Sequence, residues 1–100
     1  MNPPHPAIAV IEKQLTQLDA IYAEAAETLN SALGTDRVRR WKAQTEPILA
    51  QVLGPEEAKL FAAKKPGPSF TPDYLEELSD EVEVYRTHLL AIVSRLKKPG

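Results

Sequence analysis

The chain has 100 residues, of which 43% are hydrophobic, and a formal net charge of -2 at pH 7. This length allows one small domain with a single core. The chain contains no cysteine, which excludes disulfides, thiolate zinc sites and thiol nucleophiles and fits a reducing cytoplasm. The acidic balance argues against a general nucleic-acid binder, because phosphate binding depends on concentrated Lys and Arg.

The amino-terminal segment Met-Asn-Pro-Pro-His-Pro has neither the basic region nor the apolar region of a secretory signal. No apolar run approaches the roughly 20 residues that are needed to cross a bilayer. We therefore expect a soluble cytoplasmic protein. Its prolines predict an extended tail over residues 1–6.

The first predicted helix runs from about Pro6 to Leu33. Gly34 is expected to end it in the left-handed conformation that glycine adopts most easily. Thr35 would then cap a second helix, with Asp36 in its first turn, and so short a connection would make the two helices antiparallel neighbours. Apolar residues recur along the first helix with the three-four spacing of helices packed side by side: Ile8, Ile11, Leu15, Leu18, Tyr22, Ala25, Leu29 and Ala32.

The second predicted helix runs from about Asp36 to Leu53. Pro47 lies inside it, and an interior proline removes a backbone hydrogen bond, so we expect a kink or a break near Thr45 and Glu46. Trp41 lies in register with the apolar residues and is expected in the core. These residues are Val38, Trp41, Ile48, Leu49, Val52 and Leu53.

A short third helix is predicted from Pro55 to about Lys64, after Gly54 as the cap of the second helix. The following segment, 65–71, is rich in Pro and Gly and predicts a loop, with Phe70 packed onto the bundle.

The fourth predicted helix opens with Thr71 as N-cap and Pro72 in its first turn, and runs to about Lys97. Residues 98–100 are expected to begin a linker. The apolar spacing of the first helix returns here: Leu75, Leu78, Val82, Tyr85, Leu89, Ile92 and Leu96.

These elements predict one all-α domain over residues 1–100. The first, second and fourth helices would form an up-down-up bundle, crossed at one end by the third helix and the loop, and the second and fourth helices would start at opposite ends. Further apolar residues widen the stripes, which fits either an internal core or a dimer seam: Val10, Ile21, Leu33, Val84, Leu90 and Val93.

Charge is unevenly distributed along the chain. Residues 37–65 carry seven bases and three acids, whereas residues 66–83 carry six acids and no base. The simplest interpretation is that the basic start of the second helix pairs with the acidic half of the fourth. The predicted bundle opposes it, because its geometry separates these segments and leaves the arginines without an acidic partner in the monomer.

We therefore hypothesise that the basic cluster faces a protein partner, which could be the acidic face of a second copy. The predicted partner-binding residues are Arg37, Arg39, Arg40 and Lys42 on the basic side and Glu76, Glu77, Asp80, Glu81 and Glu83 on the acidic side. The alternative is a small nucleic-acid-binding regulator that uses the same bases with Lys64 and Lys65, beside Trp41 as a stacking group. The acidic total and the core register of Trp41 weigh against it.

No motif indicates catalysis. His5 and His88 lack the spacing that places two metal ligands on one helix face, and the four glycines are too dispersed for a phosphate-binding loop. Paired carboxylates such as Glu76-Glu77 are typical of a solvated helix face. The sequence predicts no enzyme, no cofactor and no metal site.

The chain resembles the helical N-terminal segments that precede TIR-like and other effector domains in bacterial anti-phage defence proteins. The resemblance spans about residues 28–98. It implies an adaptor or assembly module whose activity lies elsewhere, and it transfers no catalytic residue. It is carried by Arg40-Trp41, Ile48-Leu49, Val52-Leu53-Gly54, Tyr85, Leu89 and Leu96. The predicted function is a non-enzymatic helical module for protein–protein interaction or oligomerisation.

Overall fold

The computed structural model describes residues 5–65 and 74–97, which form four α-helices. Helix α1 covers Pro6–Thr28, α2 covers Ser31–Val52, α3 covers Pro55–Ala62 and α4 covers Tyr74–Lys97. The predicted all-α bundle of three main helices plus one short helix is confirmed. The predictions for residues 1–4, Phe70, Thr71, Pro72 and the segment 98–100 lie outside the described residues.

The turn between α1 and α2 lies at Leu29 and Asn30, so the prediction that the first helix reaches Leu33 is wrong. Leu29 has a left-handed backbone, with φ of 58°. The Asn30 side chain accepts a hydrogen bond from the Leu33 N–H at 3.1 Å and caps α2, in place of the predicted Thr35. As a result Leu29 and Ala32, both expected in the core, are exposed.

Gly34 lies inside α2, and the prediction that it ends a helix is wrong. A Cβ atom at this position would lie 2.7 Å from the Ala25 Cβ of α1 and 2.7 Å from the Leu78 Cδ2 of α4. These distances are too short for non-bonded carbons. Glycine is therefore required here because three helices approach one another closely.

Helix α2 continues through Pro47 and is not divided. Proline cannot donate to the carbonyl of Ala43 four residues earlier. Ala43 and Pro47 are both exposed, so water can bond the freed carbonyl. A break at Thr45 is therefore unnecessary, and Thr45 is instead fully buried.

Helix α3 lies along α2, which corrects the prediction that it crosses one end of the bundle. It begins after Gly54, which has φ of 112°. The Phe61 ring lies 5.8 Å from the Trp41 ring and 5.7 Å from the Tyr85 ring, between centroids. Helix α3 thus carries the chain back from the end of α2 towards its middle.

Helix α4 starts at the same end of the bundle as α2, so the predicted placement of these starts at opposite ends is wrong. Leu78 lies against Ala25 and Gly34 near the α1–α2 turn, and Arg95 pairs with Glu57 of α3 at 3.0 Å near the other end. Because α3 makes the upward pass, the chain runs up, down and up through the first three helices and then down through α4. Helices α2 and α4 are parallel.

The core lies between α1, α2 and α4, with α3 closing one side. Its one tryptophan, Trp41, is 3% exposed, and its Nε1–H donates to the Gln14 carbonyl at 2.9 Å. Gln14 and Thr45 add a buried polar contact of 3.0 Å. The buried apolar residues are Ala7, Ile8, Ile11, Leu15, Leu18, Ala25, Val38, Trp41, Leu49, Phe61, Leu78, Val82, Tyr85, Leu89, Ile92 and Val93.

Candidate interaction surface

Most of the residues that were predicted to bind a partner lie in one half of the bundle, towards one end. We call it the turn end: it holds the α1–α2 turn at Leu29 and Asn30 together with the first halves of α2 and α4. Two leucines are exposed there, Leu29 at 78% and Leu33 at 42%. Single exposed leucines are ordinary, but Leu29 also carries the left-handed backbone, which disfavours non-glycine residues.

The basic cluster lies in the first half of α2. Arg37 pairs with Glu24 of α1, and Arg40 pairs with Asp36 one turn earlier at 3.2 Å. The prediction that these arginines lack an acidic partner in the monomer is therefore wrong for both. Arg39 is exposed and forms no ion pair with any residue of the described segments.

Lys42 is engaged inside the molecule. Its ammonium group donates to the carbonyls of Ala62 at 3.1 Å and Lys64 at 2.9 Å, at the end of α3. It also lies 4.8 Å from the centre of the Tyr85 ring, within reach of a cation–π interaction. A partner at the turn end therefore meets Arg39 and Arg40 more readily than Lys42.

The acidic cluster lies in the first half of α4, level with the basic cluster. Glu81 is half-buried and accepts a hydrogen bond from the Tyr85 hydroxyl at 3.0 Å, and Glu83 lies 3.8 Å from Arg86. Glu76 is exposed. Glu77 and Asp80 are exposed as well, and neither forms an ion pair within the described residues.

Tyr85 marks the boundary between the two clusters. Its burial, the Glu81 charge and the Glu81 hydrogen bond raise the pKa of the phenol well above its usual range, whereas Arg39 opposes this shift. Arg39 on α2 and Glu81 on α4 therefore act on one buried hydroxyl from neighbouring helices. The charged halves of α2 and α4 border one face of the bundle.

Trp41 cannot stack on a base, as the nucleic-acid hypothesis requires, because its side chain is buried and its N–H donates to the Gln14 carbonyl. The core interpretation of Trp41 is confirmed. Of the basic residues in that hypothesis, those that are exposed are Arg39, Arg40, Lys64 and Lys65.

His88 lies beside an open groove of about 450 Å³ between α4 and the end of α3, on the same face as Lys64 and Glu83. Its Nε2 atom is buried without a hydrogen-bond partner among the described residues, and its ring lies 6.0 Å from Phe61. Burial lowers the pKa of the imidazole, and the charge of Lys64 lowers it further. The sequence interpretation of His88 as a boundary residue agrees with its half-buried position.

Sequence reasoning misses Leu29 as a surface residue. A signal is available, because Asn30 and Ser31 interrupt the apolar spacing and both residue types favour the N-cap position. The continuing heptad and Gly34 outweigh that signal when the sequence is considered alone.

Comparisons with protein-family models, with curated proteins and with solved structures find no match for this chain. No helix in residues 5–65 or 74–97 combines the length and the apolar character needed to span a bilayer. The same residues contain no group of three or more His, Asp or Glu side chains arranged to hold a metal ion.

Proposed function

We propose that this chain is a non-enzymatic helical module for protein–protein interaction and that the turn end is its binding surface. The observation that carries this proposal is Leu29. A left-handed backbone costs a non-glycine residue about 1 kcal/mol, and an apolar side chain 78% exposed to water gains little from folding. A leucine here makes physical sense when a partner covers it.

The charges of the turn end support the same proposal. Arg39 and Arg40 lie on one helix and Glu77 and Asp80 on its neighbour, and all four side chains are exposed. Exposed charges of this kind add little to the stability of a monomer. Across an interface they set orientation, specificity and the rate of association.

The resemblance to the helical segments of bacterial anti-phage defence proteins supports a role as an adaptor. In that role the module would bring together copies or partners of a larger assembly, and the activity would lie in another domain. This part of the proposal rests on the sequence pattern over residues 28–98.

Site-specific photo-crosslinking in cells tests the proposal. A photoreactive amino acid at Leu29 is expected to give a covalent adduct of one defined mass with a protein partner. The same amino acid at Leu90, a leucine 48% exposed on α4, is the matched control and is expected to give none. Position 90 lies about 24 Å along the helix from the start of α4.

The double reversal Arg39→Glu and Arg40→Glu is then expected to reduce the adduct at position 29 while the helical circular dichroism stays unchanged. Equal labelling from positions 29 and 90, or no adduct from position 29, would overturn the proposal. An adduct that survives the arginine reversals would remove the basic cluster from the binding surface.

A further inference from the structure

The turn end and the groove beside His88 have complementary surfaces. Leu29 and Leu33 are exposed at the turn end. The groove lies elsewhere on the molecule and is an open concavity of about 450 Å³, in which Val84 and Ala91 of α4 provide an apolar lining. We infer that the turn end of one copy docks into this groove of a second copy, with α2 antiparallel to the partner's α4; this rests on the proposed function and identifies the partner.

Two stripes of residues match in spacing and in chemistry. The stripe on α2 contains Leu33, Arg37 and Arg40, at intervals of four and three residues. Residues with these intervals share one face of a helix. The stripe on α4 has the same intervals in the reverse direction and consists of Val84, Asp80 and Glu77. An antiparallel pair of helices therefore places the leucine over the groove and each arginine over an acid.

The charged side chains of these stripes are accessible to a partner. Arg40 is 77% exposed, although it pairs with an acid one turn earlier. Asp80 and Glu77 are exposed and form no ion pair with any described residue. Arg37 is half-buried beside α1 and keeps part of its side chain in water. The contact therefore gives Asp80 and Glu77 the basic partners that they lack within one copy.

Helix α3 leaves both stripes uncovered. Lys42 binds the end of α3 and lies nine residues after Leu33, or about two and a half turns around α2, so the stripe on α2 faces away from α3. On α4, the ion pair and ring contacts of α3 involve Arg95, His88 and Tyr85. The acids of the α4 stripe precede these residues and lie towards the turn end.

The charges select the antiparallel direction. If α2 ran parallel to the partner's α4 with Leu33 again over Val84, the two arginines would lie level with His88 and Ala91 and away from the acids. Asp80 and Glu77 would then face the α1–α2 turn instead of the basic stripe. Only the antiparallel contact matches the apolar and the charged residues at the same time.

The groove also suits the end of α1. The last carbonyls of a helix carry a partial negative charge that favours a nearby cation, yet no basic residue lies in the last turn of α1. In the antiparallel contact Leu29 comes level with the partner's His88, because each lies four residues along its helix from the Leu33–Val84 pair. The partner's Lys64 lines the same groove and is exposed, so it supplies a cation to the end of α1.

The contact is heterologous, because it uses a different surface on each copy. A pair of copies leaves one groove and one turn end unoccupied. Helices α2 and α4 are parallel within a copy and antiparallel across the contact, so each added copy is inverted relative to the last. We therefore expect assembly to continue beyond the dimer as a chain of alternating copies.

The test measures the solution mass of the full chain by sedimentation at several concentrations. We expect species larger than a dimer that increase with concentration. Leu29→Glu blocks the turn end and Ala91→Glu blocks the groove, and each variant alone is expected to stay monomeric. Leu90→Glu and Ala9→Glu place the same charge at exposed positions outside both surfaces and are the matched controls.

Mixing the two blocked variants gives the sharpest result. The variant at position 29 keeps an intact groove, and the variant at position 91 keeps an intact turn end, so one contact can form between them. The surfaces left over both carry an introduced glutamate, so assembly is expected to stop at a dimer of one copy of each. A mixture that stays monomeric, or that grows beyond the dimer, would overturn the inference.

The register is tested by exchanging charges. Arg40→Glu and Glu77→Lys are each expected to raise the dissociation constant about tenfold, because each places like charges opposite one another. Both changes in one chain are expected to restore the original affinity, since the glutamate introduced at position 40 then faces the lysine introduced at position 77. A doubly changed chain as weak as the single variants would contradict this register.

A strict monomer at all concentrations would overturn self-association. The proposed function is judged separately by the mass of the Leu29 adduct. An adduct with a different protein would support the interaction module while contradicting the contact between copies, whereas an adduct of two copies would support both.

Discussion

The two tight reversals of this chain use glycine in opposite ways. Between α2 and α3, Gly54 itself has the positive φ, 112°, and a Cβ atom there would meet nothing within 4 Å. Between α1 and α2, the positive φ falls on Leu29, and Gly34 lies four residues into the next helix, where a Cβ atom would meet two other helices at 2.7 Å. Gly54 is needed for its backbone conformation, and Gly34 is needed because there is no room for a side chain.

The difference shows that a glycine after an apolar run has two distinct physical explanations. Gly54 is followed by Pro55, which favours the start of a new helix. Gly34 is preceded by Asn30, whose side chain can cap a helix that already contains the glycine. The neighbouring residues therefore decide between the two explanations.

Gly54→Ala should have the largest effect. The φ and ψ of Gly54, 112° and 162°, lie in a region that glycine alone populates readily. We expect a loss of about 2–3 kcal/mol in the free energy of unfolding, measured by urea denaturation at constant m-value. A loss as small as that of an exposed helical Ala would contradict the backbone role.

Gly34→Ala should come next, for a different reason. The new methyl group would overlap Ala25, whose Cβ is fixed to its own backbone, so α1 and α2 must separate slightly. Overpacking of this kind costs about 1–3 kcal/mol, and the better helix propensity of alanine offsets up to about 1 kcal/mol of it. We expect a net loss of about 1–2 kcal/mol by urea denaturation, and pairing with Ala25→Gly should recover part of it.

Leu29→Gly should act in the opposite direction. Glycine adopts the left-handed conformation without steric strain, so we expect a gain of about 0.5–1 kcal/mol in the free energy of unfolding. Thermal and urea midpoints of the isolated chain measure it. A loss of stability would show that Leu29 contributes packing within the monomer.

Lowering the pH should reduce the free energy of unfolding through His88, which packs against Phe61 of α3. We expect this to be the smallest of the four effects. The folded-state pKa of His88 is lowered, so the unfolded chain takes up the proton first, and stability is lost as the pH falls through about 6.5, the usual histidine value. Urea midpoints between about pH 7.5 and about pH 5.5 are expected to fall more for the original chain than for His88→Phe. The difference between the two curves isolates the contribution of His88.

The spacing of apolar residues is enough to predict the fold class and the core position of Trp41. The Gly54-Pro55 pair is enough to predict where α3 starts. The direction of α4 cannot be predicted that way. It depends on whether α3 lies along α2 or across the end of the bundle, and long-range contacts of Phe61 and Lys42 decide this.

The sequence is enough to predict which charged residues belong to the candidate site, but not where they lie relative to one another. The charge pattern identifies the basic and acidic residues, yet their placement at one end follows from the direction of α4. Their internal pairing, as in Arg37 with Glu24, depends on the position of the first turn, which the sequence analysis places five residues too far along the chain.

The side chain of Lys42 links the formation of α3 to the rest of the molecule. An isolated helix of eight residues is too short to persist in water, so α3 can form only when α2 supplies an ammonium group to its last carbonyls and Tyr85 supplies a surface for Phe61. We therefore expect α3 to form after α2 and to exchange its amide hydrogens before the three longer helices do. The direction of the longest helix is thus set by the segment least able to fold alone.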